Sequence, residues 1–264
     1  MYDAFPDLPA IYDSVPAYVT RRDAQFYAHE ARDAGGNVLE VGCGTGRILL
    51  PIARSGISID GLDSSREMLE RCRSKLRDEP ESVRSRVSLH RGDARAFELQ
   101  RPFDLVIAPF RVVQHLTTIE DQLRFLDSVA RHLAPGGRVA FDVFNPNFAA
   151  LVAADGVERE DTPETKLPDG RWFRRAGRVA RVRWLDQVSE IELIYYISSE
   201  PGGRAERHVQ SFDMRWFLRA ELVHLLARGG FRVRSIYGDF DRSPLTDNSP
   251  EQVICAERVT TPST

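Results

Sequence analysis

The stretch Val38-Leu39-Glu40-Val41-Gly42-Cys43-Gly44-Thr45-Gly46-Arg47 decides the fold, because an apolar strand runs directly into three alternating glycines. Gly42 and Gly44 let the backbone turn and approach a ligand with no Cβ in the way, and Ile48-Leu49-Leu50-Pro51-Ile52-Ala53 resumes with helical spacing. Strand, glycine turn and helix together make a ligand cradle. A dinucleotide fingerprint, G-x-G-x-x-G, would place its third glycine at position 47, which is Arg47. The spacing is G-x-G-x-G instead, and Glu40 aims a carboxylate at the same loop. A pyrophosphate would be repelled there, whereas an ammonium or a sulfonium would be attracted.

Working outward, Ser58-Ile59-Asp60-Gly61-Leu62 reads as a second strand ending at Asp63. Asp63 falls about twenty residues after the first glycine, where acids that bind ribose hydroxyls sit in such folds. The ligand is therefore expected to contain a ribose. Ser64 and Glu67 read as an S-x-x-E capping box opening a helix whose buried stripe is Met68, Leu69, Cys72 and Leu76. A third strand from Val87 leads into Gly92-Asp93-Ala94, and a fourth spans Phe103 to Phe110. In a parallel doubly wound sheet these strand ends face one crevice, which brings Glu40, Asp63 and Asp93 around one ligand.

At this point the residues resemble the class I S-adenosylmethionine-dependent methyltransferases. Glu40-Val41-Gly42-Cys43-Gly44-Thr45-Gly46 looks like the family's first motif, Asp63 like its ribose-binding acid and Gly92-Asp93-Ala94 like its adenine-contacting turn. Leu133-Ala134-Pro135-Gly136-Gly137 is similar to the turn before its strand five. The resemblance covers residues 36 to 143 and resumes at 216 to 258. It implies S-adenosylmethionine as cofactor and an α/β fold: a Rossmann-like, doubly wound, seven-stranded sheet. It also implies cofactor contacts from Glu40, Gly42, Cys43, Gly44, Gly46, Asp63, Ser64, Met68, Asp93, Ala94 and Ala108. Met68 would lie against the adenine ring, Asp93 would bind the exocyclic amine, and Ala108 would sit beside the methionine portion.

At 264 residues and 42% hydrophobic composition the chain can bury a full core and fits one α/β domain with an elaboration. A formal net charge of -3 gives no global positive field for nucleic acid or anionic membranes. Cys43, Cys72 and Cys255 are odd in number and scattered, which reads as reduced thiols in a cytoplasmic protein rather than as a zinc pattern. The N-terminus has neither the basic start nor the apolar run of a signal peptide, and no stretch reaches membrane-spanning length. Oligomeric state is not legible in the pattern.

Residues 1 to 35 carry Tyr2, Phe5, Tyr12 and Tyr18 among prolines, then a helix from about Thr20 to Arg32, and read as a cap segment. Residues 36 to 143 form the cofactor-binding core. Within it, Thr117 and Glu120 suggest a second capping box, before a helix that ends at Pro135-Gly136-Gly137. After strand five, Arg138 to Val143, the period changes to two. Ala180, Val182 and Trp184 alternate with arginines, Ile191, Leu193 and Tyr195 with mostly acidic residues, and Phe212, Met214 and Trp216 make a third run. Turn signals fall at Pro168-Asp169-Gly170, Leu185-Asp186-Gln187 and Pro201-Gly202-Gly203. Residues 144 to 215 are thus an antiparallel β insertion after strand five, expected to serve as an acceptor lid. Residues 216 to 258 complete the core, and 259 to 264 form a loose tail.

Methyl transfer from a sulfonium is an in-line displacement that needs no metal, with the acceptor lone pair held about 3 Å from the methyl carbon. A hydroxyl or protonated amine acceptor also needs a general base. Candidates are His115, Tyr12 and Arg111, with Gln114 nearby and His208, Asp239 and Asp241 further along. His115 follows strand four in the loop that faces the acceptor in this fold, and imidazole titrates near neutral pH. It either acts as the base or packs the helix start. Arg111 either binds an acceptor carboxylate or phosphate or is a surface arginine. The expected activity is methylation of a small-molecule acceptor. The alternatives are an RNA or protein methyltransferase, since Arg171 to Arg183 interleave with aromatics, and a non-catalytic S-adenosylmethionine-binding protein.

Overall fold

The computed structural model describes residues 5–259. In chain order the elements begin with α1 (Leu8–Tyr12), α2 (Pro16–Val19), α3 (Asp23–Ala34), β1 (Val38–Val41), α4 (Leu49–Arg54), β2 (Ile59–Asp63) and α5 (Arg66–Arg77). They continue with α6 (Glu81–Arg84), β3 (Val87–Arg91), β4 (Phe103–Ala108), α7 (Ile119–His132), β5 (Leu133–Phe144) and α8 (Phe148–Val152). The last are β6 (Arg159–Lys166), β7 (Trp172–Arg183), β8 (Val188–Ser198), β9 (Glu206–Arg215), α9 (Arg219–Arg228), β10 (Phe231–Tyr237) and β11 (Glu251–Arg258). No described helix is long and apolar enough to cross a membrane.

Two compact units emerge. One runs from Arg22 to Asn145 and resumes at Trp216; the other joins the N-terminal segment, through Arg21, to Pro146–Arg215. The helix α3 therefore belongs with the core, and the boundary falls at residue 21 rather than 35.

In the first unit a seven-stranded sheet has the order β10-β11-β5-β4-β1-β2-β3, the expected Rossmann-like arrangement. Strands β1 to β5 all run parallel to one another, while β11 runs antiparallel to both β5 and β10. Continuous apolar runs arise because both faces are covered. Along β4, Val106 and Ala108 enter one core cluster and Leu105 and Ile107 the other. Along β1, Leu39 and Val41 point to the first cluster and Val38 to the second, so the pleat puts Glu40 on the side of Val38, toward α3 and α4.

Both capping boxes shift by one residue. The N-cap of α5 is Ser65, whose Oγ accepts the Met68 N–H at 3.2 Å, and that of α7 is Thr118, accepting the Asp121 N–H at 3.1 Å. Each cap has a hydroxyl neighbour, Ser64 or Thr117, and the rule that favours a glutamate three residues on selects the wrong member of each pair. The Pro135-Gly136-Gly137 turn lies inside β5 as an irregularity, since Phe103 pairs with Leu133 but Leu105 with Arg138.

In the second unit the insertion is a four-stranded antiparallel sheet, β6-β7-β8-β9, whose three connections coincide with the three turn signals. Its strand β6, Arg-Glu-Asp-Thr-Pro-Glu-Thr-Lys, has no alternating apolar signal and was not anticipated. It is an edge strand, where charges and a proline are tolerated because one side needs no ladder partner. The arginine row on β7 faces acids across the sheet, Arg178 to Glu192 at 2.6 Å and Arg183 to Glu190 at 2.7 Å and Asp213 at 3.0 Å. Phe5, Leu8, Ile11 and Val15 pack with Leu167, Phe173, Tyr195 and Ile197 in the core of this unit. Tyr2 and residues 260–264 lie outside the described residues.

Candidate active site

The strand order reverses direction between β1 and β4: from β1 the chain winds to β2 and β3, and from β4 to β5. Ligands bind in the crevice at such a switch point, outside the carboxyl ends of the strands. Here that crevice lies between the glycine loop after β1 and the turn after β4. The two are in contact, since a Cβ built on Gly42 would stand 2.4 Å from Val112 Cγ2.

The three glycines hold φ values of +74°, +52° and +82° at Gly42, Gly44 and Gly46, a region that other residues enter only at a cost. The loop is pinned by the Gly42 and Cys43 N–H groups donating to Leu62 O at 2.7 and 3.1 Å. Gly44 differs from its neighbours, because a Cβ there would meet nothing within 4 Å. Its backbone therefore opens onto space that a ligand can enter. Asp63 ties the two strand ends together: its Oδ2 accepts the Gly44 N–H at 2.8 Å and its Oδ1 the Ser65 N–H at 2.8 Å.

Below the loop lies Glu40, 2% exposed, with its Oε2 atom buried and without a hydrogen-bond partner. Burial raises its carboxyl well above the usual carboxylate range; Asp23 and Asp63 add to the shift, against the pull of Arg47. Asp23, fully buried at the start of α3, takes the Arg47 guanidinium in two hydrogen bonds of 2.7 Å. Arg47 in turn lies over the Phe110 ring, 5.0 Å from its centroid. Glu40 thus has two further carboxyl groups, Asp23 and Asp63, and one guanidinium, Arg47, within electrostatic reach, an excess of acid that suits a ligand carrying positive charge. The orphaned Glu40 oxygen and the open space at Gly44 fit a cofactor with an ammonium and a sulfonium.

Asp93 follows β3 next to this cluster, for the Gly92 N–H donates to Asp63 O at 3.0 Å. Its carboxylate is half-exposed and held below the usual range chiefly by its hydrogen bonds with Arg95, 2.6 Å from Arg95 Nη2. Met68 and Ala108 are buried at 1% and 0%, Ala94 packs against the core, and Ser64 is exposed. Burial pushes the Cys43 thiol up, which leaves it an inert filler rather than a nucleophile. The three candidate catalytic residues fall on different elements. His115 ends a 3₁₀ turn, Val112–His115, after β4 and is half-buried. Arg111 ion-pairs with buried Glu251 at 2.8 Å and lies over Phe144. Tyr12 belongs to the other unit, its ring 5.0 Å from that of Tyr18.

Sequence reasoning missed Asp23, Tyr27, Asp142 and Glu251. Asp142 carried a legible signal, an acid inside the apolar run Phe141-Asp142-Val143-Phe144.

The crevice, the acidic cradle and the strand order define the class of enzymes that bind a sulfonium nucleoside at the carboxyl edge of a seven-stranded sheet. Residues 38–137 match a family described as a methyltransferase domain. The chain is 31% identical over 206 residues to the dTDP-3-amino-3,4,6-trideoxy-alpha-D-glucopyranose N,N-dimethyltransferase of Streptomyces venezuelae, covering 76% of this chain and 78% of that protein. It is 28% identical to the cypemycin N-terminal methyltransferase of a Streptomyces species, covering 85% and 84%. Among solved structures, the amino pentose methyltransferase CalS10 of Micromonospora echinaspora, with S-adenosylmethionine bound, superimposes with a TM-score of 0.65 at 25% identity, covering 90% of each chain. The chain belongs to the class I S-adenosylmethionine-dependent methyltransferases.

Proposed function

We propose that the protein methylates an aliphatic amine on a small molecule, with a nucleotide-linked amino sugar as the leading acceptor. The observation that supports this reading is what the similar proteins are named for: the Streptomyces venezuelae relative is an N,N-dimethyltransferase of a dTDP-linked amino sugar, and the structural neighbour CalS10 is described as an amino pentose methyltransferase. The bound cofactor supplies an electrophilic methyl carbon. The chain supplies position and proton handling. A protonated amine must lose a proton before its nitrogen has a lone pair to attack with, and His115, half-buried beyond β4, is the proposed acceptor of that proton. Cytoplasmic residence is part of the proposal, supported by three buried free thiols.

Incubation with labelled S-adenosylmethionine and dTDP-3-amino-3,6-dideoxyglucose, followed by mass spectrometry, tests the acceptor. Product carrying one or two methyl groups is expected. Labelling of a peptide N-terminus but not of the sugar would transfer the reading to the peptide class. Replacing His115 with Gln should leave cofactor affinity intact and abolish the acidic limb of the rate profile; an unchanged limb removes His115 from the role.

A further inference from the structure

Phe110 and Arg111, the two residues after Pro109 at the end of β4, both lie in the left-handed region, with φ of +58° and +67°. Neither is glycine, and two consecutive non-glycine residues in this conformation persist only when their surroundings impose it. We propose that Asp142 and Glu251 are positioning residues for methyl transfer, which hold this turn in its strained conformation against the cofactor cradle.

The anchors come from neighbouring antiparallel strands, with Asp142 paired to Val253 and Glu251 to Phe144. Asp142 is fully buried; its Oδ1 accepts the Phe110 N–H at 2.8 Å and the Tyr27 hydroxyl at 2.6 Å. Glu251 Oε1 accepts from Arg111 Nη2 at 2.8 Å, and Phe144 supports the same guanidinium from 5.6 Å. One anchor thus fixes the backbone of the turn and the other its side chain.

The turn has a direct mechanical link to the cradle. Val112 touches the space over Gly42, and Phe110 lies under Arg47, the partner of Asp23 beside Glu40. A turn that relaxed to negative φ would move Phe110 and Val112 away from the loop that holds the methyl donor. The same geometry gives Arg111 a different role from the one expected of it: the guanidinium is a tether for the turn rather than a binding group for the acceptor. The inference rests on the cofactor assignment and is independent of which acceptor is methylated.

Two double variants test it, Arg111→Gly/Glu251→Gln and Arg111→Ala/Glu251→Gln. Both remove the ion pair without leaving a buried charge, and they differ in the backbone cost at residue 111. The readout is the methyl resonance of [methyl-13C]S-adenosylmethionine bound to each protein, with cofactor affinity measured by calorimetry. The glycine variant should keep the wild-type resonance and the alanine variant should shift it. Affinity should stay within about tenfold of wild type in both, since alanine at positive φ forfeits roughly that factor in the population of the turn. Wild-type resonances in both variants would show that the turn needs no anchor, and an equal shift in both would give the role to the guanidinium itself; either result overturns the proposal. Should a double variant fail to fold, Asp142→Ala, which removes the oxygen that accepts from Phe110 and Tyr27, is read by the same resonance, with a shift expected and an unchanged line overturning the assignment of Asp142. Failure of the wild-type protein to bind the labelled cofactor would instead sink the cofactor assignment.

Discussion

Arg47 and Asp23 meet in a two-pronged ion pair, both hydrogen bonds 2.7 Å long, with the aspartate fully buried and the guanidinium beside the acid at the foot of the cradle. Such a pair contributes little net stability when intact, but leaves an uncompensated buried charge when one partner goes. Asp23→Ala should therefore lower the unfolding free energy by about 3–5 kcal/mol. Denaturant titration without cofactor measures it, and a loss below about 1 kcal/mol would mean that Arg47 finds water instead.

Gly44 and Gly46 separate binding from folding. At Gly44 a side chain meets open space, so Gly44→Ala should cost about 1–2 kcal/mol of stability from its positive φ and weaken cofactor binding more than tenfold. At Gly46 the added Cβ would lie 2.7 Å from Cys72 Sγ, and Gly46→Ala should lower the melting temperature more than Gly44→Ala does. Calorimetric titration and thermal melts of both variants check the contrast. Equal losses in both measurements would argue that the loop is simply rigid.

The raised Glu40 carboxyl makes cofactor binding pH-dependent. Its folded value lies above the unfolded one, so the folded protein binds the extra proton, and stability falls as pH rises from the unfolded value of 4.5 toward the folded one. A cationic ligand favours the ionised form, so binding should release a proton and tighten as pH rises across the same window. Glu40→Gln should then stabilise the cofactor-free protein at pH above the folded value while weakening cofactor affinity. Calorimetry in buffers of different ionisation enthalpy reads the proton directly. Proton uptake on binding would contradict the assignment.

Helix capping gives a test independent of function. Ser65→Ala should destabilise by about 1 kcal/mol and Ser64→Ala by much less, because the Met68 N–H is satisfied by Ser65 alone of the two. Thermal melts compare them. The reverse order would restore the box read at Ser64.

What the sequence made legible follows from how local the signal is. The glycine loop, the acids Glu40 within β1, Asp63 at the end of β2 and Asp93 after β3, and the switch to period two after β5 are each contained within a few residues, and the strands that carry them form where expected. The caps slipped by one because adjacent hydroxyls compete for one geometry that only the backbone resolves. Strand β6 was invisible because an edge strand needs no apolar face. Asp23, Tyr27 and Glu251 were missed for a different reason: each acts through a residue far away in the chain, Arg47, Asp142 and Arg111 respectively. No spacing rule reaches across such separations.

Strand β11 enters the sheet between β5 and β10, although it is translated after every other described strand. On the ribosome the strands β1 to β5 can assemble well before it emerges, with one edge of β5 open and Arg111 still lacking Glu251. Until residues 251–258 thread into that gap, the nascent protein presents an unsatisfied sheet edge and a turn held by Asp142 without its second anchor. A message truncated upstream of residue 251 would therefore yield a chain with one edge of β5 exposed to other chains and Arg111 without its carboxylate.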